Sequence, residues 1–190
     1  MRTAVDIFAG VGGFALACHW LGVETVAFAE IDDYASKVLA KRFPGVTNYG
    51  DVRSVPAIND VWLLTGGPPC QPASIAGQRR GAADDRALWP FMRAVVARFR
   101  PAWVVGENVP GLINLELDRV LSDLEALGYA CWPLVIPACA VDARHRRERV
   151  WIVAHAAQQS KREPATEDIS VATRRKARHE SGGCRETVPH

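Results

Sequence analysis

Long apolar runs are missing from this 190-residue chain. No stretch approaches the roughly 18 apolar residues that a membrane-spanning helix needs. The N-terminus, Met1-Arg2-Thr3-Ala4-Val5-Asp6, has none of the apolar core of a secretory signal. A cytoplasmic protein without a membrane partner is therefore expected. Charge imbalance is nearly absent too: 23 Lys and Arg against 21 Asp and Glu leave a formal +2. Charge alone announces no nucleic-acid partner, and any such contact must come from local clusters. The five cysteines (Cys18, Cys70, Cys131, Cys139, Cys184) are odd in number, scattered and free of any C-x-x-C. That excludes a disulfide framework and a zinc site, and no metal is expected. Internal repeats are absent. Residues 156–190 contain no Leu, Met, Phe, Tyr or Trp. Such a polar tail buries too little apolar surface to offset its ordering entropy, and mostly disordered chain is expected there.

What is present is a body, residues 1–155, rich enough in apolar residues for one domain with a sizeable core. Short β-branched or aromatic runs alternate with helical patterns. Strands are expected at Thr3–Phe8, Glu24–Ala29, Val46–Tyr49, Val61–Thr65, Ala102–Gly106, Tyr129–Ile136 and Arg149–Ala154. Helices are expected at Phe14–Leu21, at Asp32–Phe43 with Asp32 as N-cap, at Arg86–Arg100, and at Asn114–Leu127 closed by Gly128. Alternation of this kind predicts an α/β fold, a mainly parallel sheet with helices on both faces. Ligands of such sheets bind beyond the carboxyl ends of the strands.

The loops at those ends have unusual compositions. The first reads Asp6-Ile7-Phe8-Ala9-Gly10-Val11-Gly12-Gly13-Phe14, a strand breaking into glycines that open a helix. Glycines let backbone approach a ligand, and the helix N-terminus favours an anionic group. Glu30 ends the second strand, where a carboxylate can accept from ribose hydroxyls. Asp51, after the third strand, can accept from an exocyclic amine of adenine. Glycines that merely turn the chain, with Glu30 capping a helix, explain the loop alone equally well. The two acids together favour a nucleoside-containing cofactor, and spacing does not separate a dinucleotide from S-adenosylmethionine.

The fourth strand runs into Gly66-Gly67-Pro68-Pro69-Cys70-Gln71-Pro72. A thiol between prolines has few backbone conformations open to it, which suits an aimed nucleophile. Glu107-Asn108-Val109-Pro110 follows the fifth strand. Arg144-His145-Arg146-Arg147-Glu148-Arg149 leads into the last, so Arg147 and Arg149 are expected to be drawn towards the sheet.

These segments resemble the DNA cytosine-5 methyltransferases. D-I-F-A-G-V-G-G-F is similar to the family's first cofactor motif, G-G-P-P-C-Q-P to its catalytic loop, and E-N-V to the motif carrying its catalytic glutamate. H-R-R-E-R resembles Q-x-R-x-R, with His145 in place of Gln. The order agrees across residues 3–154. The resemblance implies a Rossmann-like, S-adenosylmethionine-dependent methyltransferase fold. It assigns Phe8, Gly10, Gly12, Glu30 and Asp51 to the cofactor and Cys70, Glu107, Arg147 and Arg149 to catalysis. Cys70 would add to carbon 6 of cytosine, Glu107 would protonate ring nitrogen 3, and Arg149 would hold the base oxygen with Arg147 assisting. The partner implied is double-stranded DNA with the target cytosine flipped out, with Arg79, Arg80 and Arg86 placed to meet phosphates.

The family's target-recognition region and final packing segment have no counterpart in residues 156–190. Apolar surface near Phe8 and Phe14 is therefore expected to be uncovered. The leading reading is a methyltransferase core, truncated or completed by a second chain. A non-catalytic cofactor- or DNA-binding remnant and a related RNA methyltransferase stand as alternatives. A nicotinamide oxidoreductase leaves P-P-C-Q and E-N-V unexplained.

Overall fold

A computed structural model describes residues 1–69 and 88–157. The chain divides after Ala157, and the tail from Gln158 lies outside the described residues. Among the described residues seven strands form one sheet: β1 (Thr3–Ile7), β2 (Glu24–Ala29), β3 (Thr47–Asn48), β4 (Leu63–Gly66), β5 (Trp103–Asn108), β6 (Tyr129–Pro137) and β7 (Glu148–Ala156). The helices are α1 (Gly13–Trp20), α2 (Asp33–Arg42), α3 (Trp89–Phe99), α4 (Leu112–Leu115) and α5 (Leu117–Ala126). No helix among the described residues is long and apolar enough to cross a membrane.

Local chemistry accounts for most of these elements. In β1 Ala4, Val5, Asp6 and Ile7 are all buried, as in a strand covered on both faces. Asp32 caps α2 by accepting from the Ala35 N–H at 2.8 Å, and Lys41 and Arg42 sit in its last turn, where cations offset the helix dipole. Gly128 follows α5 with φ 85°, a left-handed exit that glycine adopts without strain.

The sheet order is β3-β2-β1-β4-β5-β7-β6. Pairing is parallel from β3 through β5, and β7 runs antiparallel between β5 and β6. On one face Val5, Ile7, Leu64 and Val104 pack with Met92 and Val96 of α3 and Leu124 of α5. On the other, Ala4 and Phe28 lie under Cys18 and Ala15 of α1 and Leu39 of α2. The expected doubly covered, mainly parallel α/β sheet is present.

Two boundaries differ with consequence. Sequence periodicity ends the fifth strand at Gly106, but β5 continues through Glu107 and Asn108 because β7 pairs with them at Trp151 and Val150. The single helix expected over Asn114–Leu127 is two, broken at Glu116, whose φ of −143° lies outside the helical range.

Candidate active site

The carboxyl ends of β1, β2 and β3 meet at one edge. Phe8 leaves β1 in the left-handed region (φ 54°) and donates its N–H to the Ala29 carbonyl at 2.7 Å. Gly10 has φ 53°, and nothing stands within 4 Å of where a Cβ would project. Its N–H donates to Glu30 Oε2 at 2.7 Å, while Glu30 Oε1 accepts from the Asp32 N–H at 2.7 Å. Glu30, expected to face a ribose, is thus also the brace of the glycine turn. Each carboxylate oxygen retains a second lone pair for a ligand. Gly12 answers to a different demand. A Cβ there would lie 2.6 Å from Phe43 Cε2, so the residue must be small for α1 to pack on α2.

Asn48, at the end of β3, is a participant that sequence reasoning missed. Its Oδ1 accepts from the N–H groups of Glu30 and Gly50, and its Nδ2 donates to the Glu30 carbonyl and Ser36 Oγ. The signal available was its place three residues before Asp51 in N-Y-G-D. Asp51 itself accepts from the Arg53 N–H at 2.8 Å and from Arg53 Nε at 2.9 Å. These bonds and the guanidinium charge hold its carboxyl down at about 2. It is a fixed negative charge at this edge.

The antiparallel β7 brings its first residues to the end of β5. Arg149 Nε lies 2.6 Å from Glu107 Oε1, with both side chains largely shielded from water. Gly67, just beyond β4, abuts the same carboxylate: a Cβ there would stand 3.2 Å from Glu107 Oε2. Asn108 Nδ2 donates to the Pro68 carbonyl at 3.0 Å and pins the start of the proline loop. Asn108 is the second residue missed in role, although it directly follows Glu107 in E-N-V. Cys70, two residues beyond Pro68, lies outside the described residues, as do Arg79, Arg80 and Arg86.

Of the two arginines expected near the sheet, Arg149 is there and Arg147 is not. Arg147 is exposed at φ 30°, one residue before β7 begins, where no ladder pairing draws it inward. The structure thus brings together Phe8, Gly10 and Glu30 on one side, and Glu107, Arg149 and the Gly67–Pro68 backbone on the other. Room and hydrogen-bonding groups beside Gly10 fit a nucleoside cofactor. A charge-assisted carboxylate–guanidinium pair beside the loop fits proton handling and anion stabilisation.

The sheet order and its flanking helices are those of the α/β methyltransferase fold. The fold is similar to the Dnmt2 methyltransferase of S. pombe (TM-score 0.68, 18% identity, 82% of this chain and 51% of that one). It is equally similar to the methyltransferase EhMeth of Entamoeba histolytica (TM-score 0.67, 19% identity, 82% and 53%). A family model for C-5 cytosine-specific DNA methylase matches residues 2–184, and the chain belongs to that family. It is 36% identical over 157 residues to the Type II methyltransferase M.HgiBI of Herpetosiphon aurantiacus, covering 78% of this chain and 36% of that protein. To the Type II methyltransferase M.Eco47II of Escherichia coli it is 38% identical over 163 residues, covering 80% and 39%. The chain therefore spans well under half the length of these relatives.

Proposed function

We propose that this chain is the catalytic core of a DNA cytosine-5 methyltransferase that uses S-adenosylmethionine. The observation carrying the reading is the Glu107–Arg149 pair, set against Gly67 and Pro68 at the edge that also holds Gly10 and Glu30.

Phe8, Gly10, Gly12, Glu30 and Asp51 form the cofactor side. The turn offers backbone room and Glu30 retains lone pairs for ribose hydroxyls. Asp51, kept ionised by Arg53, offers an acceptor to an amine donor. S-adenosylmethionine, when bound, supplies the activated methyl group.

Carbon 5 of cytosine is a weak nucleophile until a thiolate adds at carbon 6, and Cys70 is assigned that addition; once carbon 5 carries the methyl group, loss of its proton to a base re-forms the 5,6 double bond and expels the thiolate. Glu107 donates a proton to ring nitrogen 3, so that negative charge does not build up on the ring. Arg149, already 2.6 Å from Glu107, orients that carboxyl and meets the base oxygen. Arg147, exposed at the rim, is assigned to placement of the substrate. Double-stranded DNA is the substrate proposed, with the target base flipped out at a cost of a few kcal/mol.

The polypeptide that accounts for the relatives' greater length, in the same chain or another, supplies the contacts that read sequence. It also covers the open apolar face formed by Trp151, Leu134 and Trp132.

The test is methyl transfer from labelled cofactor to DNA, with such a polypeptide added. Cys70→Ser is expected to abolish transfer while cofactor affinity stays the same. Duplex carrying 5-fluorocytosine is expected to trap a covalent adduct at Cys70, because fluorine cannot leave as a cation. Transfer at a comparable rate in Cys70→Ser, or an adduct at another residue, overturns the assignment. Cofactor or DNA binding with neither transfer nor adduct establishes the non-catalytic alternative instead.

A further inference from the structure

Asp6 is only 1% exposed, and the chemistry proposed above gives it no part. It sits in β1 opposite Thr65 of β4, and its Oδ1 accepts from the Thr65 hydroxyl at 2.7 Å. Its Oδ2 is buried without a hydrogen-bond partner. A bare acidic oxygen in a core is costly, so its retention calls for a use elsewhere.

The surroundings suggest that use. The first turn of α1 begins directly after the glycine turn, and its N-cap is Gly12, which has no side chain to cap the free N–H groups. A side chain cannot be placed there, since Phe43 and Leu39 occupy the space. Asp6 shares the face of β1 on which Ala4 packs with Cys18 of α1, so its side chain lies under that helix, and the Ala15 N–H of the first turn favours its ionised form. Other ionisable groups facing Asp6 are Glu30 from the end of β2 and the Cys18 thiol from α1. One carboxyl thus borders the strand before the glycine turn, the helix after it, and β4, whose last residues pass beside Glu107.

We propose that Asp6 is a positioning residue that holds the 8–12 turn in register, joining β4 through Thr65 to the uncapped start of α1. Its role in cofactor binding rests on the reading of that turn as the S-adenosylmethionine site. Its role in holding the turn does not.

Asp6→Ala, Asp6→Asn and Thr65→Val test the proposal, read by amide hydrogen exchange and by calorimetric titration with S-adenosylmethionine. Asp6→Ala is expected to speed exchange at Gly10–Ala15 by about tenfold or more relative to Val104 and Ile152 in the central sheet. Cofactor affinity should fall by a similar factor of about ten. Asp6→Asn keeps a polar group at both positions and should restore both readouts to within about threefold of wild type. Thr65→Val should move both in the direction of Asp6→Ala, and it carries the test if the alanine variant does not fold. Exchange that rises uniformly over the sheet, or is unchanged at the turn, overturns the proposal. Wild-type protein that fails to bind S-adenosylmethionine overturns the reading of the turn as its site, and the exchange comparison then decides the role of Asp6.

Discussion

A carboxylate has about four lone-pair sites, and two of those on Glu30 already accept from the Gly10 and Asp32 backbone. Glu30→Ala therefore removes the brace as well as the proposed contact to the cofactor. Cofactor affinity is expected to fall about ten- to hundredfold, the size of a lost charge-assisted bond. Glu30→Gln, with one acceptor oxygen instead of two, should fall between alanine and wild type in calorimetric titration. Asp6 makes a second prediction at this level. Burial raises its carboxyl from 3.8 to about 7, with Glu30 adding to the rise. The folded state thus holds a proton that the unfolded state has already released between those two values. Stability must fall as pH rises through that window, and the penalty is complete above about 7. Asp6→Asn cannot ionise, so its stability should lack this fall. Urea unfolding of both proteins at pH 5, 7 and 8.5 measures the difference. A gap in pH dependence of a few kcal/mol is expected.

Elements decide what the glycines are for. Gly10 and Gly12 stand two residues apart in one motif, and both have positive φ. Gly12 packs against α2, whereas Gly10 opens towards space. Gly12→Ala combines left-handed strain with a clash against Phe43, and about 2–4 kcal/mol of destabilisation is expected. Gly10→Ala should lose only about 1–2 kcal/mol, from backbone strain alone. Urea unfolding separates the two. A similar loss in both would show that the contact with α2 carries no energy. The element pattern itself was largely legible. The strand β1 was readable from Ala4, Val5 and Ile7 although Asp6 interrupts its apolar run, and Asp32 announced the start of α2. The direction of β7 was not legible, because Arg149–Ala154 reads the same for a parallel or an antiparallel strand. The break at Glu116 was equally silent, since no proline or glycine interrupts Leu112–Ala126.

Among the described residues, one face of the sheet carries apolar side chains that stay partly exposed at its β5-β7-β6 end. Alternation along β5 and β7 buries Val104, Val150, Ile152 and Ala154 against α3 and α5, and leaves Val105, Trp151 and Val153 half-buried on the other side. Trp132 and Leu134 of β6 continue that side, each about half exposed. Phe14 meets Trp151 edge to face, with ring centroids 5.8 Å apart, at the border of this surface. Of the apolar surface expected near Phe8 and Phe14, the part beside Phe14 is exposed and extends over β5, β7 and β6, whereas Phe8 packs partly buried against the core. Contiguous apolar surface of this kind drives association. The double variant Trp132→Lys, Leu134→Lys is expected to reduce self-association in light scattering, with little change in thermal stability. Persistent association of that variant would place the sticky surface elsewhere. Bisulfite sequencing of DNA from cells expressing these 190 residues alone is expected to show no methylation at a defined motif. Base reading needs side chains in a groove, which the proposed core does not supply by itself.

The sequence alone determined the residue types at the edge and their order along the chain. It also carried the α/β alternation, because turn chemistry, capping and strand burial are written within a few residues of where they act. Whether those residues meet was decided by the tertiary structure. Arg149 reaches Glu107 only because β7 runs backwards beside β5, and Asp6 reaches Thr65 only because β1 and β4 are neighbours although β2 and β3 separate them in sequence. Strand adjacency and direction come from pairing across the whole sheet. No local stretch of sequence encodes the partner of a strand buried on both faces.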